Sequence, residues 1–275
     1  MIDLKKMLEA GVHFGHKTSR WSPKMRPYIW GAKNKVHLID VSKTAILLER
    51  AGNFLQETAR NGGQFLFVGT KKAAQGIMHR VASNTHMPYV IHRWVGGTLS
   101  NYEQVKKAVT RLLHMRDVLV KPTMHYKKKE ISMIQKEVAR LEKNVGGIID
   151  FACPPAALIV VDVKKEQSAV KEASRLGIPV VALVDTNTDP DGVSFIIPSN
   201  DDSARAIAFV VDYLETRIAA GAQEAETLKA QQRAEQDAKR AAAKAESDAR
   251  AKAAKAPKAP EAEAKVEKKA EVKKD

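Results

Sequence analysis

The feature that most constrains the fold of this chain is a series of short, mostly uninterrupted apolar runs. A strand of a parallel sheet is covered by helices on both faces, so its sequence is apolar throughout and does not alternate. We therefore predict buried strands at residues 36–39, 64–68, 89–91, 157–161, 180–184 and 195–197.

Helical patterns lie between most of these runs. Ser42, Thr70 and Asn200 are suited to cap the helices that begin near them, because their side-chain oxygens accept hydrogen bonds from first-turn N–H groups. Gly177 is predicted to end a helix at 167–176. The alternation of strands and helices predicts an α/β protein with a doubly wound parallel sheet.

Residues 99–145 interrupt this alternation with two apolar stripes on either side of Lys121-Pro122-Thr123. The first stripe is Tyr102, Val105, Val109 and Leu112, and the second is Ile131, Ile134, Val138, Leu141 and Val145. Spacings of three and four residues are typical of helices that pack in a coiled coil. We predict an inserted antiparallel coiled-coil hairpin at 99–145, in which the two stripes bury only each other.

The remaining boundaries follow from composition. Residues 1–98 and 146–222 are predicted to form the α/β domain, which carries a basic N-terminal arm. Residues 223–275 consist mainly of Ala, Lys and Glu and contain no aromatic residue. Such a segment cannot bury enough apolar surface to fold, so we predict a frayed helix that gives way to disorder.

The charge of the chain is large and unevenly distributed. Its 46 Lys and Arg residues exceed its 32 acidic residues, and the resulting charge of +14 favours polyanionic partners. Residues 1–145 hold 26 basic and 10 acidic side chains, whereas residues 146–222 hold 6 and 11. We predict that the first part binds anions and that the second faces protein or water. Solvated helix faces with a chance bias in charge are the alternative explanation.

Several classes of protein are disfavoured by what the sequence lacks. The single cysteine, Cys153, excludes an internal disulfide framework and a multi-cysteine metal site. No apolar run approaches the about 18 residues of a membrane span. The N-terminus does not have the pattern of a signal peptide. We expect a soluble, cytoplasmic protein that does not bind membranes.

The sequence does not contain the motif of a nucleotide-dependent enzyme. Residues Gly69 to Lys72 lie between a predicted strand and a helix, where a phosphate can bind to free N–H groups. They match neither a Walker loop nor a dinucleotide fingerprint. His13 and His16 have no carboxylate or cysteine near them in sequence. We predict no catalytic residue and no cofactor, and keep a nucleotide- or metal-dependent α/β enzyme as the rival hypothesis.

Five aspartates follow two neighbouring predicted strands, and they are Asp185, Asp189, Asp191, Asp201 and Asp202. Carboxylates at the carboxyl ends of adjacent parallel strands are able to hold a cation. Turns and helix caps are the alternative role. We name Asp185 and Asp202 as candidate ligands but predict no metal site from the sequence.

A segment that mixes basic and aromatic residues, from His16 to Lys35, predicts contact with RNA. Basic groups meet phosphates, while aromatic and guanidinium planes stack on bases. Packing of the aromatic residues against the core is the alternative. Further cations follow predicted strands or lie on the predicted hairpin. The candidate RNA-binding residues are Lys17, Arg20, Trp21, Lys24, Arg26, Lys33, Lys35, Lys71, Lys72, Arg93, Lys106, Lys107, Lys127, Lys128 and Lys129.

Four motifs, in the same order, resemble the bacterial form of the family of small-subunit ribosomal protein two. They are GVHFGHKTSRWSPKMRPYIWGAKNKVHLIDVSK at 11–43, FLFVGTKK at 65–72, HRWVGGTLSN at 92–101 and GIPVVALVDTNTDPDGVSFIIPSNDD at 177–202. The resemblance spans residues 3–218 and implies a flavodoxin-like parallel sheet with an inserted coiled-coil hairpin.

The same resemblance implies a function. It indicates a structural, non-catalytic protein that binds rRNA on the solvent side of the small subunit, between head and body. It also implies a docking surface for the large mRNA-binding ribosomal protein one and other small-subunit proteins, and no homo-oligomer. A free RNA chaperone is a further alternative.

Overall fold

The computed structural model describes residues 2–120 and 126–254, with the side chains of residues 229–239 and 241–254 excepted. Its helices are α1 (Leu4–Ala10), α2 (Val41–Arg60), α3 (Lys72–Asn84), α4 (Tyr102–Val120), α5 (Lys128–Val145), α6 (Gln167–Arg175) and α7 (Ala204–Ala254). Its strands are β1 (Phe14–Lys17), β2 (Ile29–Lys33), β3 (Val36–Ile39), β4 (Phe65–Val68), β5 (Tyr89–Val90), β6 (Ala157–Val161), β7 (Val180–Val184) and β8 (Phe195–Pro198). Short 3₁₀ turns occupy Thr18–Arg20, Pro23–Tyr28 and Gly146–Ile148.

Five strands form a parallel sheet in the order β5-β4-β6-β7-β8. The chain passes from β4 to one side to form β5, then returns to the other side to form β6. The strand order therefore reverses between β4 and β6, which is the point where open α/β sheets most often bind ligands. The predicted doubly wound α/β fold is confirmed.

Helices cover both faces of this sheet, and strand β4 shows how. Phe65 and Phe67 belong to a buried cluster that includes residues of α2, α3 and α7. Leu66 and Val68 point to the opposite face and belong to a cluster with residues of α4, α5 and α6. All residues of β4, β6 and β7 are buried, as the uninterrupted apolar runs predict.

The strand predicted at 36–39 forms, but it does not join the parallel sheet. Strand β3 is the centre of a separate antiparallel sheet with the order β1-β3-β2. Asn34 and Lys35, both at positive φ, connect β2 to β3 as a tight hairpin. Only Ile39 of this strand is buried. A largely apolar run of four residues is compatible with either kind of sheet. The tight turn before β3 pairs this strand with β2 in an antiparallel hairpin.

Two of the three predicted helix caps are wrong. Asp40 caps α2 in place of Ser42, and its Oδ1 accepts the N–H group of Ser42 at 3.1 Å. Thr70 does not cap α3, which begins without a side-chain cap. Asn200 accepts the N–H groups of Asp202 and Ser203 just before α7, so it shapes the turn that leads into that helix.

Helices α4 and α5 contact each other through the predicted stripes. Val105, Val109 and Leu112 are buried on α4, as are Val138 and Leu141 on α5. These residues share one continuous buried cluster with core residues of the sheet. The prediction that the stripes bury only each other is therefore wrong. The predicted turn at 121–123 lies outside the described residues, and the coiled-coil geometry and the domain limits stay predictions.

Contacts divide the chain into two units, residues 1–225 and 226–275. In the second unit the described backbone is helical as far as Ala254. The disorder predicted for the end of the tail falls on residues 255–275, outside the described part. Among the residues that the structure describes, no helix has both the length and the hydrophobicity that a membrane crossing requires.

Candidate nucleic-acid interface

The N-terminal arm, residues 16–35, presents unpaired cations to solvent. The side chains of Lys17, Arg20, Arg26, Lys33 and Lys35 are exposed, and none forms a hydrogen bond or ion pair with another described residue. An exposed cation without an acidic partner retains its full charge for an external anion. The arm is therefore the part of the sequence prediction whose geometry best suits phosphate contacts.

The two tryptophans of the arm differ in exposure. Trp30, on β2, is 75% exposed. Trp21 is 37% exposed and its ring packs 5.4 Å from the ring of His37. Trp30 is thus freer to stack on a base than Trp21, the aromatic residue in the candidate set.

The arm is fixed to the loop that follows β7. The ammonium of Lys24 pairs with Asp189, at 2.9 Å, and with Asp191. The N–H group of Ser22 donates to the carbonyl of Thr186 at 2.7 Å. A Cβ at Gly15 would lie 2.7 Å from Thr186, so this close approach requires glycine. Lys24, a candidate RNA contact, is thus ion-paired with this loop, and its contact with RNA stays a prediction.

Charged side chains from four segments of the chain meet at the carboxyl ends of β7 and β8. They are Asp185, Asp201, Asp202, His16 and Lys71, and we call them the carboxylate cluster. Asp185 and Asp201 are each only 1% exposed. His16 Nδ1 lies 2.9 Å from Asp185 and its Nε2 lies 3.3 Å from Asp202. Lys71 Nζ lies 2.7 Å from Asp201 and also pairs with Asp202. Lys71 is thus engaged by acids within the protein.

The electrostatics of the carboxylate cluster are unbalanced. Burial, together with the charge of Asp185, raises the pKa of Asp201 to about 7, even though Lys71 is bonded to it. The hydrogen bond to Asp185 raises the pKa of His16 despite partial burial. The charge of Asp185 contributes to both shifts, although burial is the main cause for Asp201 and the hydrogen bond is the main cause for His16.

The carboxylate cluster contains both candidate metal ligands, Asp185 and Asp202. His16, Asp185 and Asp201 each offer a ligand atom, and these atoms lie within 4.8 Å of one another. Asp185 belongs to this set, whereas Asp202 lies beside it, between His16 and Lys71. A divalent cation held by the three side chains has to compete with the Lys71 ammonium for Asp201. The geometry of these three side chains is compatible with a bound cation, although the sequence predicted no metal site.

The turn at Gly69, considered above as a phosphate site, is occupied by a carboxylate of the chain itself. The N–H group of Thr70 donates to the Glu166 carboxylate at 3.2 Å, and the Thr70 hydroxyl donates to the same oxygen. Glu166 is 2% exposed. The adjacent Lys72 is exposed at the start of α3. The N–H group of Thr70 is therefore satisfied within the chain.

A second internal carboxylate organises the loop at residues 92–101. One oxygen of Glu172, on α6, accepts the indole N–H of Trp94 at 3.1 Å and the N–H of Gly97 at 2.9 Å. The other accepts the N–H groups of Leu99 and Ser100 at 3.1 and 3.3 Å. Burial alone would raise the pKa of Glu172, but these hydrogen bonds outweigh it and lower the pKa. Nothing in the sequence singled out this residue.

The other candidate cations are exposed but lie on separate elements. Arg93 is in the 92–101 loop, Lys106 and Lys107 are near the start of α4, and Lys127 to Lys129 are at the start of α5. The structure thus places the arm cations on β1, β2 and the turns beside them, and distributes the remainder over the surface.

The fold and these surfaces define an α/β protein with a basic exterior. A family model described as ribosomal protein S2 matches residues 7–221. A curated relative, the small ribosomal subunit protein uS2 of Maridesulfovibrio salexigens, is 44% identical over 242 residues, which cover 85% of this chain and 93% of the relative. The chain belongs to the ribosomal protein S2 family.

Membership of the family settles the class of function. These proteins are structural components of the small ribosomal subunit and not enzymes, and in bacteria that subunit is cytoplasmic. A place in the subunit implies association with rRNA and with other ribosomal proteins. The resemblance seen in the sequence and the prediction of a non-catalytic protein are confirmed, and the enzyme hypothesis is rejected.

Proposed function

We propose that this chain binds rRNA chiefly through the N-terminal arm, on the solvent side of the small subunit between head and body, and thereby supports translation. The observation that carries the proposal is the set of five exposed, unpaired cations along an arm that is bonded to the loop after β7. Because Lys24 and Thr186 already hold the arm, binding RNA costs little additional ordering of the backbone.

The proposed interface retains most candidate residues but not all of them. Lys24 and Lys71 are assigned to holding the protein together, since both are engaged by carboxylates. The remaining members are secondary contacts. They are Trp21, Lys72, Arg93, Lys106, Lys107, Lys127, Lys128 and Lys129.

The test is the salt dependence of rRNA binding. Changing Arg20, Arg26, Lys33 and Lys35 together to Gln should lower the log–log slope of affinity against salt by about 0.9 per lost phosphate contact on duplex, and by less on single strands. A control variant changes four exposed cations outside the arm to Gln. They are Arg50, Lys136, Lys171 and Arg175.

The two variants carry the same net charge, so a general effect of charge would affect both equally. Equal slopes for the arm and control variants would refute the proposal. Footprinting on intact subunits then tests location, because a free RNA chaperone would protect no fixed rRNA site.

We also propose that ribosomal protein one docks on the α/β body rather than on the tail. Residues 146–222 hold 11 acidic and 6 basic side chains, which disfavours RNA and suits a basic or mixed protein surface. A single copy is expected, since the net charge of +14 opposes self-association. Cross-links from ribosomal protein one that fall mainly on residues 226–275 would contradict the docking proposal.

A further inference from the structure

A cavity of about 450 Å³ opens at the point where the strand order of the parallel sheet reverses. Its walls come from the segments that follow β4, β5 and β6, and include Thr70, His92, Arg93, Lys165 and Ser168. We call it the switch-point pocket. It is separate from the carboxylate cluster and from the N-terminal arm, and of its lining residues the function proposed above uses Arg93 alone, as a secondary RNA contact.

The pocket presents two cations, Arg93 and Lys165, and one imidazole, none of which forms an ion pair with another described residue. Arg93 and His92 are exposed and form no hydrogen bond or ion pair with another described residue. The ammonium of Lys165 donates to the carbonyl of Thr70 at 3.0 Å, which fixes the end of this long side chain at the wall and leaves two of its N–H groups free. Three nitrogen-bearing side chains therefore converge on one concave surface.

The acidic residue of the lining does not cancel this charge. Glu166 directs its carboxylate to the N–H and hydroxyl groups of Thr70 and is 2% exposed. Burial also raises the pKa of Glu166. The face that the pocket offers to solvent is consequently basic.

The wall that carries Arg93 is held firmly. Trp94 and Gly97, on either side of Gly96, are both hydrogen-bonded to Glu172. A site built on fixed elements loses less entropy on binding than a site on a loose loop. The guanidinium of Arg93 is also the group best matched to two oxygens of one phosphate.

We propose that the switch-point pocket binds a phosphate group. Its volume admits a phosphate together with the sugar that carries it. The phosphate comes either from the RNA backbone or from a free nucleotide or inorganic phosphate. In the first case the proposal rests on the rRNA binding proposed above, and in the second it does not.

Gly96 offers a sharp test, because it lies on the pocket wall, is exposed, and a Cβ there meets nothing within 4 Å. Gly96→Asp should leave the fold intact and place a carboxylate beside the bound phosphate. Gly76→Asp is the matched control, since Gly76 is exposed on α3, has equally open space, and lies outside the pocket lining. Arg93→Gln serves as a second pocket variant that removes a cation instead.

The first measurement is calorimetric titration of the full chain with inorganic phosphate and with AMP. The second is the salt dependence of rRNA binding. Like-charge repulsion across a few ångströms should weaken phosphate binding by about tenfold or more in Gly96→Asp. An RNA phosphate in the pocket adds a loss of about 0.9 in the log–log slope on duplex for both pocket variants.

The outcomes are distinct. Loss of phosphate binding with a reduced RNA slope supports an RNA phosphate, and loss with an unchanged slope supports a free phosphate or nucleotide. The proposal would be overturned by two results together. The wild-type protein would bind no phosphate, and the log–log slope of rRNA affinity against salt would be the same for the pocket variants as for Gly76→Asp. If the wild-type chain binds no rRNA, the proposed function fails, while the phosphate titration still decides the pocket.

Discussion

Replacing Lys71 by Met should lower the free energy of unfolding by about 3 kcal/mol or more, the cost typical of breaking a buried ion pair from one side. Lys71 supplies the ammonium that bonds to Asp201 at 2.7 Å and also pairs with Asp202. Asp201 is 1% exposed and cannot recover its lost partner from water. Met fills a similar volume, so the loss measures charge rather than packing.

The matched control is Lys72→Met, one residue further along. Lys72 is exposed and forms no ion pair with a described residue, so its replacement should change stability by less than about 0.5 kcal/mol. Urea unfolding of both variants and the wild type gives the comparison. Equal stability of the two variants would show that Asp201 does not depend on Lys71.

The effect of Lys71→Met should depend on pH. The pKa of Asp201 is raised to about 7, so the folded state binds a proton there more tightly than the unfolded state does. The stabilisation that comes from protonated Asp201 is therefore fully present below the pKa of about 4 that an aspartate has in the unfolded chain. It is lost as pH rises through the folded-state pKa of about 7. We expect a smaller deficit for the variant near about pH 5, where Asp201 takes up a proton, than near about pH 8.

The same pair of variants separates stability from RNA binding. Lys71 is engaged within the protein, whereas Lys72 is free to contact phosphate. Lys72→Met should therefore reduce the salt slope of rRNA binding more than Lys71→Met does. A larger reduction for Lys71→Met would show that its ammonium leaves the carboxylate cluster to reach RNA.

Glu172→Ala should lower the free energy of unfolding by about 2–3 kcal/mol, because it leaves several N–H donors without an acceptor. The donors are the indole of Trp94 and the N–H groups of Gly97, Leu99 and Ser100. Trp94 and Leu99 are buried, so water replaces the carboxylate poorly there. The loss should also appear as faster amide hydrogen exchange at residues 97–100.

Glu49→Ala is the control for this variant. Glu49 is an exposed acid on α2 without a hydrogen bond or ion pair to another described residue, so its loss should be nearly neutral. The pKa of Glu172 is lowered, so its contribution is present above the unfolded value of about 4.3 and is lost as pH falls through the folded pKa. The gap between wild type and Glu172→Ala should therefore narrow in acid. A constant gap would indicate that packing, not the carboxylate, holds the loop.

The parallel sheet was predictable because its signal is local. Residues 157–161 and 180–184 are apolar without interruption, and only a strand covered on both faces tolerates that pattern. The run at 36–39 is also largely apolar, although His37 interrupts it, and it belongs to a hairpin. Local composition reports that a strand is apolar, whereas the choice of partner strand depends on the turn that precedes it.

The candidate interface was predictable only in part. Lys24 and Lys71 have the same basic character in sequence as Arg20 and Lys72, yet each is engaged by carboxylates. The acids that engage them are more than a hundred residues away, so no short-range pattern marks them. Glu172 was missed for the same reason, since the N–H groups that it accepts come from a loop about 75 residues earlier.

By itself, the sequence determined the α/β class, the strands of the parallel sheet, the basic character of the first half and, through its motifs, the family. These properties follow from composition, from short-range periodicity and from residues adjacent in the chain. Only the tertiary structure decided which cations stay free for an external anion and which are neutralised internally. The order of the parallel strands brings Lys71 and Asp201 to the same end of the sheet, and an ionic contact forms where charges meet in space, whatever their separation along the chain.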